Sequence, residues 1–448
     1  MPKWKKDDFQ GTGKTQGLPG YTDGGKDLDM FSGLGRGAKY IFNFIQKNGP
    51  VTKNDIVLFS GMKLSTLNRI MQPLEDKALV VPSSIGDSTG GRRPVLYDVN
   101  SGRHYIIGID ISRMYALVVL TDLKMRILFK RQFPMERHCS PGTTVEIISG
   151  IIMQAIEVLG ISPNMILGIG VGTVGPIDRE KGIILNPVNF QAEGWVNVPI
   201  AEMLGRATGY PVVIDNGANA AVLAENLFGI GRNLKSVVYF NCGIGIRTGA
   251  VFSGDLVRTI NDIEDAFAHM VIDVDGEKCS CGNSGCVECY SSISSIKKAF
   301  ASELRRGRTS KIKKPVDELG YIDICSAAEE GDGPAGEVIK RSAAIFGTGV
   351  ANFINILNPQ MVILSGPLIH QSGLFYEVCT HTALKKCYMS GDARTVFNRG
   401  GEFKENAIAV GSAVLFAENC LKDAKSKYGV KNKGLDAYTL GQGGVGAF

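Results

Sequence analysis

The chain has 448 residues, too many for one hydrophobic core, so two or three domains are expected. Its 44% hydrophobic and 21% charged content reads as an ordinary soluble globular protein; no run of 18 apolar residues predicts a membrane span, and the N-terminal MPKWKKDDFQGTGKTQ lacks a secretory apolar core. The formal charge of +5 is localised, because residues 36–103 hold ten Lys/Arg against five Asp/Glu, which points to a polyanionic partner for that segment alone.

Residues 1–35, rich in Gly, Lys and Asp, read as a flexible arm. The GTGKT at 11–15 is not read as a phosphate loop, since Asp8 stands where the first Gly is required. Residues 37–77 carry three short helical patterns. Ala38, Ile41, Phe42 and Ile45 share one face of the first; Thr52, with Asp55 three residues on, caps the second; Leu67, Ile70, Met71 and Leu74 line the third. Pro73 is expected to kink or shorten that third helix. A Ser60-Gly61 turn between the last two gives helix, Gly turn, helix, a DNA-reading pattern. Its outward Lys63, Ser65, Thr66, Asn68 and Arg69 suit phosphates and base edges. Strands at 79–81 and 94–99 flank SSIGDSTGGRRP, so 36–103 reads as a winged helix-turn-helix with Arg92 and Arg93 on the wing; the bland alternative is a helical bundle with a solvated basic face.

From Tyr105 the pattern changes to apolar, β-branched strands at 105–110, 116–120 and 125–133, then a helix over 143–159 capped near Thr143. Strands follow at 167–172 and 212–215, and a helix at 217–228. Residues 236–251 repeat the strand, Gly turn, strand opening of 105–120, which predicts an internally duplicated α/β domain of two lobes. Helices dominate 290–357, a strand runs over 361–364, and 407–418 is a last apolar helix. Residues 422–448 read as a flexible tail.

The chemistry is densest at HMVIDVDGEKCSCGNSGCVE, residues 269–288. His269, Cys279, Cys281 and Cys286 fall within 18 residues, a ligand set suited to a closed, four-coordinate structural Zn²⁺ site. Gly282 and Gly285 allow the loop to turn its sulfurs to one point. Four protein ligands leave no position for water, so a structural zinc is favoured over a catalytic one. Outside residues 279–289 the cysteines are scattered (Cys139, Cys242, Cys325, Cys379, Cys387 and Cys420), as expected of reduced thiols in a cytoplasmic protein.

Four stretches resemble the ROK family of sugar kinases and transcriptional repressors: GDSTGGRRPVLYDVNSGRHYIIGIDI at 86–111, GIGVGTVGPID at 168–178 with GWVNVP at 194–199, the cysteine segment at 269–288, and NFINILNPQMVILSGP at 352–367. The resemblance spans 37–421. It implies an α/β fold in which a winged helix-turn-helix (36–103) precedes a two-lobed, actin-like or sugar-kinase-like domain (104–421), with a sugar cleft between the lobes. Asn216, His269 and Glu288 match sugar-contacting positions of the family, and Asn189 a further one. The departures point away from catalysis. The family's kinases read Asp-Ile-Gly-Gly-Thr-Lys where this chain has Asp110-Ile111-Ser112-Arg113-Met114-Tyr115. Gly217 stands where the family has its catalytic Asp, and Ala266 where it has a sugar-binding Glu. Asp215 is the one carboxylate near enough to act in place of the missing base.

No catalytic residues are therefore assigned. The chain is expected to be a repressor of carbohydrate metabolism that binds double-stranded operator DNA as a homodimer or homotetramer, senses a sugar or sugar derivative, and holds a structural Zn²⁺. Two alternatives stand beside it: a regulator that no longer binds sugar, and an ATP-dependent sugar kinase.

Overall fold

The structure, a computed structural model, describes residues 30–85, 93–187, 190–258, 264–388 and 395–421. The chain divides into two compact units, one of Phe31–Arg103 with the residues from Glu418 onward, the other of His104–Ala417.

In the smaller unit, α1 (Arg36–Asn48), α2 (Lys53–Ser60) and α3 (Leu64–Asp76) bury Ile41, Phe42, Ile45, Ile56, Leu67, Met71 and Leu74 as one core. Thr52 caps α2 as expected. Its hydroxyl accepts from the Asp55 amide at 3.1 Å and the Asp55 carboxylate accepts from the Thr52 amide at 2.8 Å, a reciprocal cap worth about 1 kcal/mol. Gly61 ends α2 at φ 65°, in the left-handed region glycine tolerates. Pro73 does not end that helix early. The helix continues to Asp76, because Pro73 faces solvent within its last turn, where water can take the carbonyl left without an amide. Strands β1 (Val51–Thr52), β2 (Val80–Ile85) and β3 (Val95–Val99) form an antiparallel sheet with β3 in the middle. The two-residue β1 was not anticipated.

In the larger unit, the first lobe contains β4 (Tyr105–Ile111), β5 (Tyr115–Asp122), β6 (Ile127–Pro134), β7 (Ile166–Thr173) and β10 (Val212–Asn216), in the order β10-β7-β4-β5-β6. β8 (Ile177–Asp178) and β9 (Ile183–Ile184) form a separate antiparallel ribbon. The second lobe contains β11 (Ser236–Cys242), β12 (Ile246–Phe252), β13 (Asp255–Leu256), β14 (Met361–Ser365) and β15 (Val396–Arg399), in the order β15-β14-β11-β12-β13. Each sheet pairs its first hairpin antiparallel, then adds two parallel strands on one side and one antiparallel strand on the other. The duplication expected from residues 105–120 and 236–251 is thus a repeat of topology.

Helix α4 (Pro141–Leu159) starts two residues earlier than expected, because Ser140 caps it by accepting from the Thr143 amide. By length and composition α4 could cross a membrane, but here Val145, Ile148, Ile152 and Ala155 are buried in the first lobe, where α5 (Ile200–Thr208) also packs. Helix α6 (Gly217–Leu227) follows β10 directly. Helices α7 (Glu288–Ser291), α8 (Ile293–Arg305), α9 (Tyr321–Glu329), α10 (Gly333–Leu357), α11 (Pro367–Gln371) and α12 (Gly373–Lys386) build the second lobe, whose core clusters Phe240, Phe267, Phe346 and Phe353.

Helix α13 (Ala407–Cys420) lies so close to the first sheet that only glycine fits beneath it. A Cβ on Gly170 would begin 1.7 Å from the Ser412 carbonyl oxygen, and one on Gly108 1.9 Å from that of Ala409. Gly411 and Gly249 likewise admit α6, their Cβ positions falling 2.0 Å from the Ala220 oxygen and 2.3 Å from the Ala218 oxygen. These approaches fix the start of α6, where the catalytic base of a kinase would be sought.

Candidate functional site

In the smaller unit, Lys63, Ser65, Asn68 and Arg69 are exposed on α3 and Thr66 is half-buried. Arg93 is exposed before β3, while Arg92 lies outside the described residues. Asn68 does not present an unengaged side chain: Lys53 Nζ donates to its Oδ1 at 3.0 Å. The same ammonium lies 3.6 Å from Glu75 and 5.0 Å from the centre of the Tyr97 ring. Lys53, which opens α2, is a residue that the sequence reading passed over; it reaches Asn68 and Glu75 on α3 and Tyr97 on β3.

In the larger unit, the turn from β4 to β5 occupies the place of a kinase phosphate loop. The Ser112 hydroxyl donates to the Tyr115 carbonyl at 2.9 Å and accepts from the amides of Met114 at 3.3 Å and Tyr115 at 3.2 Å. Those amides point back into the turn and do not form an outward cradle for phosphate. Gly217 opens α6, and a Cβ there would begin 2.7 Å from Arg247 Nη1 and 3.1 Å from Ile408. A guanidinium therefore stands beside the base position. Arg247 is 5% exposed and donates to the Thr173 carbonyl at 3.3 Å.

Asp215, the one possible substitute base, is committed elsewhere. Both its oxygens accept from Arg258, and Asn219 Nδ2 donates to Oδ1 at 3.2 Å. These donors occupy both oxygens of the carboxylate. Asp110 is fully buried near the end of β4, and neither of its carboxylate oxygens has a hydrogen-bond partner of ordinary geometry among the described residues. Burial pushes its carboxyl up to about 6, against the pull of the Arg247 charge and the Tyr115 hydroxyl.

Of the proposed ligand contacts, Asn216 is buried and caps α6, accepting from the Ala218 amide at 2.9 Å. Glu288 opens α7, and its Oε2 accepts from the Ile246 amide at 3.1 Å. Asn189 lies outside the described residues. His269 ends a two-turn 3-10 helix (Glu264–His269) and faces the thiols. Ala266, on the same turn, offers no acceptor.

The ligand atoms of His269, Cys279, Cys281 and Cys286 all lie within 4.8 Å of one another. His269 Nδ1 is 3.5 Å from Cys279 Sγ, and Cys281 Sγ is 3.8 Å from Cys286 Sγ. A zinc tetrahedron with sulfur arms of about 2.3 Å has edges of about 3.8 Å, so the group fits a metal of that size. Local backbone bonds build it. The Cys279 amide donates to the Asn283 carbonyl at 2.8 Å, and the Ile272 amide to Gly285 at 2.9 Å, which returns the cysteine loop to the strand-like segment after His269. A Cβ on Gly285 would begin 1.6 Å from the Asp273 oxygen, so the loop needs glycine there. Burial works to raise the Cys279 thiol, but hydrogen bonds within the cluster outweigh it and bring it to about 7; burial and the neighbouring thiols push Cys286 up to about 12. The cluster thus favours thiolate at one sulfur first, as a site that exchanges protons for a metal does.

The sequence model of the ROK family matches residues 106–419. The chain is 30% identical over 331 residues to the xylose repressor of Bacillus subtilis (strain 168), covering 74% of this chain and 82% of that protein. It is 25% identical over 365 residues to the DNA-binding transcriptional dual regulator NagC of Escherichia coli (strain K12), covering 81% of this chain and 88% of the regulator. Among solved structures, a ROK family transcriptional regulator homologous to the E. coli MLC protein aligns with a TM-score of 0.71 at 22% identity, over 89% of this chain and 98% of that one. A ROK family glucokinase from Streptomyces griseus, in complex with glucose and AMPPNP, aligns with a TM-score of 0.60 at 24% identity, over 69% and 98%. The likeness to both structures is one of fold.

Proposed function

We propose that this chain, which belongs to the ROK family, is a DNA-binding transcriptional repressor of carbohydrate metabolism whose kinase-like unit senses a sugar without phosphorylating it. The observation that carries the reading is Arg247 beside Gly217: a cation holds the ground where in-line transfer to a sugar hydroxyl needs a proton acceptor. The closed Ser112 turn and the pairing of Asp215 with Arg258 support it. So do relatives that are themselves named as repressors and as a transcriptional dual regulator.

In this reading residues 36–103 are the operator-binding domain and 104–421 the sensor. Lys63, Ser65, Thr66, Asn68 and Arg69 enter or border the major groove, with Arg92 and Arg93 on the wing. Asn189, Asn216, His269 and Glu288 border the ligand. His269, Cys279, Cys281 and Cys286 hold a structural Zn²⁺ that fixes one wall of the cleft, through His269 at one end of the segment and the Cys286–Glu288 turn at the other. The repressor works in the cytoplasm as a homodimer or homotetramer, each dimer reading two half-sites. A ligand acts by binding one arrangement of the lobes more tightly than another, which shifts the population competent for DNA.

The test pairs two measurements on the full chain. Selection from fragmented genomic DNA at moderate salt is expected to enrich a discrete operator. An ADP-release assay over hexoses and N-acetylhexosamines is expected to stay at background. A chain that enriches no sequence, or that turns over ATP with one of these sugars, is not this repressor. A regulator that no longer binds sugar is a second reading, favoured by Ala266, which offers no acceptor. Sugars that raise the melting temperature exclude it.

A further inference from the structure

We infer that the larger unit carries a further small-molecule site, apart from the candidate sugar contacts, and that it takes an α-amino acid with an apolar side chain. A cavity of about 490 Å³ lies between the β5–β6 turn, Phe228 after α6, and the turn that leads into α13. Small-molecule sites typically enclose roughly 300–1,000 Å³. None of Asn216, His269 and Glu288 lines this cavity, and the inference is independent of the sugar-sensing reading.

Both turns that wall the cavity are folded around a buried carboxylate. Asp122 accepts from the Lys124 amide at 2.8 Å, the Arg126 amide at 3.0 Å and Arg126 Nε at 2.7 Å. Glu225 accepts from the amides of Glu402 and Phe403, each at 3.0 Å. In each turn one residue other than glycine takes the left-handed backbone, Met125 at φ 61° and Lys404 at φ 51°. L side chains rarely adopt that conformation, so both walls are held by their surroundings before anything binds. Walls fixed in advance lower the ordering cost of gripping a ligand. The lining divides by chemistry. Met125 is buried and Phe228 and Phe403 are half-buried, whereas Arg126, Glu402 and Lys404 are exposed. Opposite charges beside an apolar surface match a molecule with both charges and an apolar body. The carboxylate of an amino acid pairs with Arg126 and Lys404, its ammonium with Glu402, and its side chain covers the two phenylalanines. A ligand that is only an anion would meet Glu402, and one that is only a cation would meet Arg126 and Lys404.

The test is calorimetric titration of the full chain with L-phenylalanine, L-leucine and L-methionine. Beside them run phenethylamine, which lacks the carboxylate, hydrocinnamate, which lacks the ammonium, and glycine, which lacks the side chain. At least one of the three amino acids is expected to bind, with phenethylamine, hydrocinnamate and glycine each at least about tenfold weaker. Two variants place the ligand. Lys404→Gly removes a cation at a position whose backbone glycine adopts freely, and Glu402→Gln removes the charge opposite the ammonium while keeping its shape. Each is expected to weaken the amino acid at least about tenfold. No heat from any of the three amino acids at millimolar concentration would overturn the inference. So would phenethylamine or hydrocinnamate binding as tightly as the amino acid, or either variant leaving the affinity within twofold. Operator selection and the sugar panel are separate measurements, so any of these failures leaves the repressor reading standing.

Discussion

Arg247 Nη1 stands 2.7 Å from the point at which a Cβ on Gly217 would begin. A carboxylate introduced there would emerge beside a buried guanidinium and pair with it. Pairing holds a carboxyl in its charged, weakly basic form. Gly217→Asp alone is therefore expected to release no more ADP than the unsubstituted chain in a coupled assay with any hexose. Turnover ten times background in that single variant would mean that Arg247 does not block the base position.

The Asp215–Arg258 pair is a structural clamp across β10 and the segment after β13. Asp215 is 2% exposed, and its remaining hydrogen bonds come from Asn219 and the neighbouring Asn216 amide. Arg258→Ala leaves that charge buried with its main partner gone, which costs about 3 kcal/mol. Urea denaturation of the variant should show this loss with an unchanged slope. By contrast Lys181→Ala, which breaks the solvated Lys181–Asp178 pair, should leave the midpoint where it was.

Asp110 makes stability depend on pH in an unusual direction. Its carboxyl is raised from 3.8 to about 6 in the fold, first by burial and against the attraction of Arg247. Between these values the folded chain holds a proton that the unfolded chain has lost, so this group's contribution falls as pH rises from about 4 to about 6. Asp110→Asn removes the dependence. The difference in urea midpoint, variant minus parent, should grow in the variant's favour across that window and level off above it. A difference that stays flat from pH 4 to 7 would show that Asp110 keeps an ordinary carboxyl.

The zinc proposal predicts a coupled loss. Cys281→Ser should purify without zinc, melt at a lower temperature and lose its response to ligand, because the metal ties His269 to the turn that carries Glu288. Operator binding by residues 36–103 should persist. Full ligand response in zinc-free protein would confine the metal to local scaffolding.

These predictions divide along what was legible in the sequence. The two lobes were readable because buried strands such as Tyr105–Ile111 and Ile166–Thr173 are continuous apolar runs, and because the hairpin openings repeat. The His269, Cys279, Cys281 and Cys286 group that could hold a metal was readable because all four fall in one short segment. The resemblance also pointed to Gly217 in place of the family's catalytic Asp and Ala266 in place of a sugar-binding Glu, but not to the side chains that surround them. Arg247, Arg258 and Lys53 act through partners 74, 43 and 15 residues away, at Thr173, Asp215 and Asn68, and no local pattern marks such pairs. Short strands such as Val51–Thr52 and Asp255–Leu256 were missed because two residues carry no period.

Lys53 gives the clearest test of the DNA face, since it acts from α2 on α3. Lys63 and Arg69 stand exposed, and each is expected to neutralise one phosphate. Lys63→Ala and Arg69→Ala should therefore each reduce the slope of log affinity against log salt by about 0.9, with binding weakened about equally on all sequences. Lys53→Ala should behave differently. Its ammonium orients Asn68 at 3.0 Å and also engages Glu75 and Tyr97, so its loss frees Asn68 to swing without removing a phosphate contact. The expected outcome is an unchanged salt slope with relaxed preference at one base position, by about 1 kcal/mol. Fluorescence anisotropy with the selected operator and its single-base variants, repeated at several salt concentrations, separates the two effects. A Lys53→Ala chain that loses salt slope instead would place Lys53 on the phosphate backbone, leaving Asn68's orientation to the rest of α3.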